Sequence, residues 1–195
     1  MSVTIAPVTG AGLAKVISAL ARLRIAVFRD FPYLYDGDAA YEAQYLADFA
    51  AAPGAVIVVA RDGDDIVGAA TAAPLATQDA AWRAPLAAAG FDIGRTFYFG
   101  ESVLLDSYRG RGIGHAFFDH REAQARTHGA SHAAFCSVIR ATDHPARLAA
   151  YRPLDAFWRS RGYAPLAGVT ASFDWKTLGG AGEDRHDLQY WTRAL

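Results

Sequence analysis

A single cysteine, Cys136, stands in a chain of 195 residues. No disulfide can close within one molecule, and a reducing compartment is implied. Its neighbours read as a strand, where a lone cysteine serves as a small buried hydrophobe rather than as a nucleophile. An excess of either charge is missing too: 19 Lys and Arg against 20 Asp and Glu leave a formal charge of −1 and a pI near 6.6. That balance gives no general attraction to nucleic acid or to an anionic membrane, so any basic site has to be local. No apolar run reaches the length of a membrane span, and the N-terminus lacks a basic start followed by a long apolar core. A cytoplasmic protein without nucleic-acid or membrane partners is the expectation. Acidic and His residues nowhere cluster at ligand spacing, so no metal is expected. Internal repeats, linkers and low-complexity tails are absent as well. What the chain has in quantity is apolar surface: 52% of its residues are hydrophobic, enough to bury the core of one domain over residues 1–195.

The most informative stretch runs from residue 97 to 129, FYFGESVLLDSYRGRGIGHAFFDHREAQARTHG. Residues 97–105 are aromatic and aliphatic at strand length, and residues 113–127 repeat apolar side chains at the spacing of one helix face. Between them lies Arg109-Gly110-Arg111-Gly112-Ile113-Gly114. A strand that enters a helix through a glycine-rich turn leaves backbone N–H groups unpaired at the positive end of the helix dipole. Such a turn seats an anion, and a phosphate or pyrophosphate is the natural one. The two arginines add charge that pairs with phosphate oxygens. No Lys-Ser or Lys-Thr follows the glycines, which excludes a Walker-type loop, and the order of glycines weighs against a dinucleotide fold.

Residues 3–8 read as a first strand and residues 13–28 as a helix. Residues 29–38 break the helical period with Pro32 and Gly37 and concentrate aromatics in a loop, which either walls a pocket or folds onto the core. Residues 39–51 resume a helix that Pro53-Gly54 ends. Residues 55–61 and 66–73 form a hairpin about an acidic turn. Residues 74–95 are an insertion in which Pro85 interrupts a helical run and Trp82 reads chiefly as packing. Residues 132–139 are a further strand, 153–161 a short helix capped by Gly162, and 163–175 and 186–191 two last strands.

The run Leu104-Leu105-Asp106-Ser107-Tyr108-Arg109-Gly110-Arg111-Gly112-Ile113-Gly114 resembles the signature of the GNAT acetyltransferases, an Arg/Gln-x-x-Gly-x-Gly/Ala loop that binds the pyrophosphate of acetyl-CoA. The element order agrees with that family. The resemblance implies an α/β (α+β) GNAT acyl-CoA N-acyltransferase fold, with a mixed central sheet of about seven strands flanked by helices. It implies acetyl-CoA as cosubstrate and a small-molecule or peptide amine as acceptor, and it admits a homodimer through the terminal strands. Arg109, Gly110, Arg111, Gly112, Ile113 and Gly114 would hold the cofactor. Main-chain groups of Val103, Leu104 and Leu105 would line its pantetheine arm where two strands splay.

Acetyl transfer to an amine needs a free amine, a stabilised oxyanion and a proton for the departing thiolate. In strict alternation Glu101 shares a face with Phe97, Phe99, Val103 and Leu105. A carboxylate among apolar neighbours has its charged form disfavoured, which suits a general base. The family often carries a catalytic glutamate on this strand; the other reading of Glu101 is a structural carboxylate paired to an arginine. Where the family has a tyrosine four residues before a glycine, this chain has Trp158, and an indole cannot protonate a thiolate. Tyr151, which replaces the family's asparagine, and His144 are the substitute candidates, each with a structural reading beside it. Phe31, Tyr33 and Tyr35, with Asp36 and Asp38 near them, would suit a cationic or partly apolar acceptor. A module that binds acyl-CoA without turnover is the second reading, and a domain without ligand the third.

Overall fold

The computed structural model describes residues 3–195. Its strands are β1 (Thr4–Thr9), β2 (Val56–Asp62), β3 (Asp65–Pro74), β4 (Thr96–Leu104), β5 (His132–Val138), β6 (Ala164–Lys176) and β7 (Glu183–Ala194). The helices are α1 (Ile17–Phe28), α2 (Ala39–Ala51), α3 (Ala80–Ala88), α4 (Ile113–Thr127) and α5 (Asp155–Ser160). The seven strands make one mixed sheet in the order β1-β2-β3-β4-β5-β7-β6, flanked by helices as the sequence implied.

Helix periodicity decides which face each helix covers. Leu20, Leu23 and Phe28 of α1, with Leu46 and Phe49 of α2, bury against Ile57, Val59, Ala69 and Val103. On the opposite face, Ile113, Phe117, Phe118 and Ala125 of α4 bury against Val56, Val58, Phe97 and Phe99. The insertion packs at the far half of the sheet, where Trp82 stacks on Phe173 at 3.8 Å and lies 5.0 Å from Tyr98. Trp82 is therefore a packing residue. Strand β7 is longer than its apolar centre suggests, because the polar run from Glu183 is paired throughout with β6.

Two irregularities of β4 create the site. The first is a splay. Strands β4 and β5 are parallel and pair only at Thr96–His132, Phe97–Ala133 and Tyr98–Ala134, after which β5 follows β7 as far as Val138 and Leu188. Beyond Tyr98, β4 has no strand on that side among the described residues, and Ser102 is exposed in mid-sheet. The second is a bulge. The β3–β4 register passes from Ala70–Ser102 to Ala72–Phe99, so Thr71 faces both Gly100 and Glu101. One extra residue inverts the alternation that follows it. Glu101 and Val103 consequently face α1 and α2, while Phe97 and Phe99 face α4. The shared face expected from strict alternation is thus corrected.

Candidate active site

The turn into α4 has the geometry the sequence suggested. Gly110 and Gly112 have φ of +74° and +80°, a conformation that costs other residues heavily. Nothing in the protein lies within 4 Å of where a side chain would begin at either glycine. Arg109 N–H donates to Asp106, and His115 and Ala116 N–H to Gly112. The five amides between them, from Gly110 to Gly114, find no acceptor among the described residues. Gly112 caps the helix without a side-chain bond. The two arginines are engaged locally and exposed: Arg109 pairs with Asp106 at 2.7 Å. Arg111 donates to the Ser107 carbonyl at 2.7 Å and lies 4.9 Å over the Tyr108 ring. The Tyr108 hydroxyl in turn donates to Asp62 at 2.9 Å, fixing the loop to the β2–β3 hairpin. Leu104 and Leu105 are half-buried and Val103 is buried at the end of β4 that leads into this loop.

Glu101 does not stand among apolar groups alone. Its Oε2 lies 2.8 Å from Arg24 Nη1, and Arg24 also donates through Nε and Nη2 to Glu42. Glu101 and Glu42 are buried, with Arg24 nearly so. Burial opposes the charge on Arg24, but Glu101, Tyr45 and Glu42 more than offset it, and the guanidinium is held above its ordinary value. Glu101 Oε1 is buried and has no hydrogen-bond partner among the described residues. From the other face, Arg121 of α4 donates to the main-chain carbonyls of Thr71 and Glu101, both at 3.4 Å. Arg121 lies between the rings of Phe99 and Phe118 at 4.5 and 4.7 Å, and burial pushes its guanidinium down to about 10.

The aromatic loop between α1 and α2 roofs this cluster. Burial raises the Tyr33 phenol against the pull of Arg24, with Cys136, Glu101 and Tyr151 adding to the rise. Tyr35 is raised by burial and by Glu42 beside it. The loop is tied to the far end of the chain: Arg140 donates to the Pro32 and Tyr33 carbonyls at 2.7 and 3.1 Å. Trp175 Nε1 donates to the Tyr33 carbonyl at 3.2 Å, and Lys176 pairs with Asp36 at 2.7 Å. Phe31 meets Tyr151 edge-on at 4.8 Å and lies 5.6 Å from the His144 ring. Three residues singled out separately in the sequence are thereby brought together. Ala146 N–H donates to His144 Nδ1 at 3.1 Å, which leaves the proton of a neutral ring on Nε2. Burial, then Asp155, raises the Tyr151 phenol. Trp158 packs 5.1 Å from Phe135 and 5.0 Å from Trp191.

Cys136 lies on β5 at the mouth of the splay beside Tyr98 and Tyr190, and burial pushes its thiol up to about 12, the protonated state of a packing residue. No group of three His, Cys, Asp or Glu among the described residues could hold a metal ion. No helix there is long and apolar enough to cross a membrane.

Arg24, Glu42, Thr71, Arg121 and Arg140 were not found from the sequence. A signal existed for two of them: Arg24 lies between Leu20 and Phe28 at four-residue steps, and Glu42 precedes Leu46 by four. Both charges therefore sit on otherwise buried stripes.

A model of the acetyltransferase (GNAT) family matches residues 20–156, and the chain belongs to that family. No curated protein sequence matches it. Among solved structures it is similar to ribosomal-protein-alanine N-acetyltransferase from Brucella melitensis, at 16% identity and TM-score 0.62 over 98% of this chain and 99% of the other. It is similar to yncA from Salmonella typhimurium, solved with its cofactor acetyl-CoA, at 12% identity and TM-score 0.62 over 100% and 95%. An aminoglycoside 6'-N-acetyltransferase complexed with coenzyme A gives 16% identity and TM-score 0.61 over 98% and 96%. These likenesses establish the GNAT fold.

Proposed function

We propose that the protein is an acetyl-CoA-dependent N-acetyltransferase that acetylates a primary amine of a small molecule or peptide by direct attack, with Glu101 as general base. The observation that carries this reading is the row of five acceptor-free amides at the start of α4, beside the strand whose edge is freed by the splay. Two of the similar structures hold acetyl-CoA or coenzyme A. The open space at Gly110 and Gly112 fits a diphosphate against the amides of residues 110–114. Acetyl-CoA supplies an activated acetyl group as a thioester.

The chain's own residues do the rest. Glu101 Oε1, without a protein partner, accepts a proton from the entering ammonium, while Arg24 holds Oε2. The amine lone pair then forms the N–C bond as the C–S bond breaks, and the second amine proton passes to water, from which the group that protonates the thiolate regains its own. Main-chain groups of β4 beyond Tyr98, Val103 and Leu104 among them, and the carbonyl of Leu105 after it orient the thioester. Tyr151 or His144 Nε2–H protonates the thiolate. Phe31, Tyr33 and Tyr35 wall the acceptor.

Isothermal titration with acetyl-CoA, followed by a thiol-release assay over a panel of primary amines, tests the reading. Binding with release on at least one amine is expected. Glu101→Gln should lower turnover by about a hundredfold or more with cofactor affinity retained. Tight binding without release on any amine would favour a binding module, a reading to which Trp158 at the family's tyrosine position lends support.

A further inference from the structure

Arg24 divides one guanidinium between two carboxylates, with Nε and Nη2 on Glu42 and Nη1 on Glu101. The side chains of Glu42 and Glu101 are 0% and 4% exposed and that of Arg24 12%, so the three groups are almost wholly buried. Rings close the sides, Phe28 at 5.1 Å and Tyr45 at 4.7 Å from the guanidinium. The other groups near Glu101 are Tyr33 from the loop between α1 and α2, Tyr45 from α2, and Arg121 from α4; Thr71 from β3 and Arg121 also bond to its main chain. Arg24 is the cation paired with the Glu101 carboxylate, and Arg121, buried on the other side of the strand, adds a weaker attraction.

A carboxylate owned outright by a buried guanidinium is a poor base, because the cation stabilises its ionised form. A second anion on the same guanidinium acts in the opposite direction, and at low dielectric both effects are large. We propose that Glu42, acting through Arg24, is a positioning residue that fixes Oε2 of Glu101, leaves Oε1 free, and keeps Glu101 basic enough to deprotonate the acceptor. The proposal rests on the reading of Glu101 as the base. It also defines what Glu101 offers the acceptor: Oε1, the oxygen without a protein partner, takes the proton of the amine.

Glu42→Gln keeps the size and one acceptor toward Arg24 and removes the charge. Its acid limb of kcat/KM, measured with acetyl-CoA and the best amine of the panel, should move to lower pH by about half a unit or more. The plateau should fall several-fold, with coenzyme A affinity within twofold. Arg24→Met, the opposite perturbation, should move the limb to higher pH. A 13C NMR titration of the Glu101 carboxyl in the coenzyme A complex reads the same directions without any acceptor, and it serves for whichever variant folds. A lowered Tm with limb, plateau and titration all unmoved would overturn the proposal and leave Glu42 a structural residue. Glu101→Gln, measured in parallel, separates the two levels. If it keeps turnover and limb, the general base is lost; if it abolishes the limb while Glu42→Gln leaves it in place, only the role of Glu42 is lost.

Discussion

Gly100 and Thr71 interlock across β3 and β4: a Cβ on Gly100 would stand 2.4 Å from Thr71 Oγ1, the atom that accepts the Glu101 N–H at 3.1 Å. The bulge and the direction of Glu101 are therefore one feature. Gly100→Ala should destabilise by about 1–3 kcal/mol through overpacking and lower turnover further than the lost stability explains. Chemical denaturation and kinetics of Gly100→Ala, Thr71→Ala and the double variant check this. A coupling of at least about 0.5 kcal/mol is expected, and additive effects would separate the two residues.

The turn into α4 makes a graded prediction. Gly112→Ala, at φ +80°, should cost about 1–2 kcal/mol and weaken coenzyme A binding. Gly114→Ala meets only the Phe157 ring, at 3.4 Å and beyond, and should change stability far less. Titration calorimetry beside thermal melts gives both numbers; equal effects at the two positions would contradict the left-handed cap.

Glu122 is a stability hub apart from the chemistry. It accepts from Arg161 at 3.1 Å, Arg193 at 2.9 and 3.0 Å, and the Tyr163 hydroxyl at 3.2 Å. Glu122→Ala leaves Arg193 and the Tyr163 hydroxyl without their carboxylate, while Arg161 keeps Asp119 at 2.7 Å. It should cost roughly 3 kcal/mol or more, allowing for the partial exposure of the arginines, while kcat below the melting range stays near that of the parent. A Tm within a degree or so of the parent would show that α4 is not clamped there.

Alkaline pH should unfold the protein in a defined direction. Burial raises the phenols of Tyr33, Tyr45, Tyr98, Tyr163 and Tyr190 and the Cys136 thiol to about 12. The folded chain keeps protons that the unfolded chain releases from about pH 9 for cysteine and about pH 10 for tyrosine. Their contribution to stability is whole below that range and is lost as pH rises through it. Tm followed upward from neutrality should fall steeply there, with tyrosinate absorbance appearing together with unfolding. Smooth ionisation of all nine tyrosines ahead of the melt would refute this.

What could be read from the chain was local. The strand, glycine turn and helix from residue 97 to 127 declare themselves within thirty-odd residues, because period and glycine placement are properties of neighbours. The bulge was illegible, since it arises from Thr71 on another strand and only that pairing shows alternation failing at Gly100. The company Glu101 keeps was hidden for a similar reason. Arg24 and Glu42 come from helices far away in sequence; their places on buried stripes mark each as unusual but do not show that they meet beside Glu101. Phe31, His144 and Tyr151 were recognised singly, but only the tertiary fold joins them.

The aromatic loop between α1 and α2 is fastened by groups from the second half of the chain. Residues 32–36 depend on Arg140, Trp175 and Lys176 for their hold. The loop between α1 and α2 is therefore held in place only once residues more than a hundred positions downstream have folded against it.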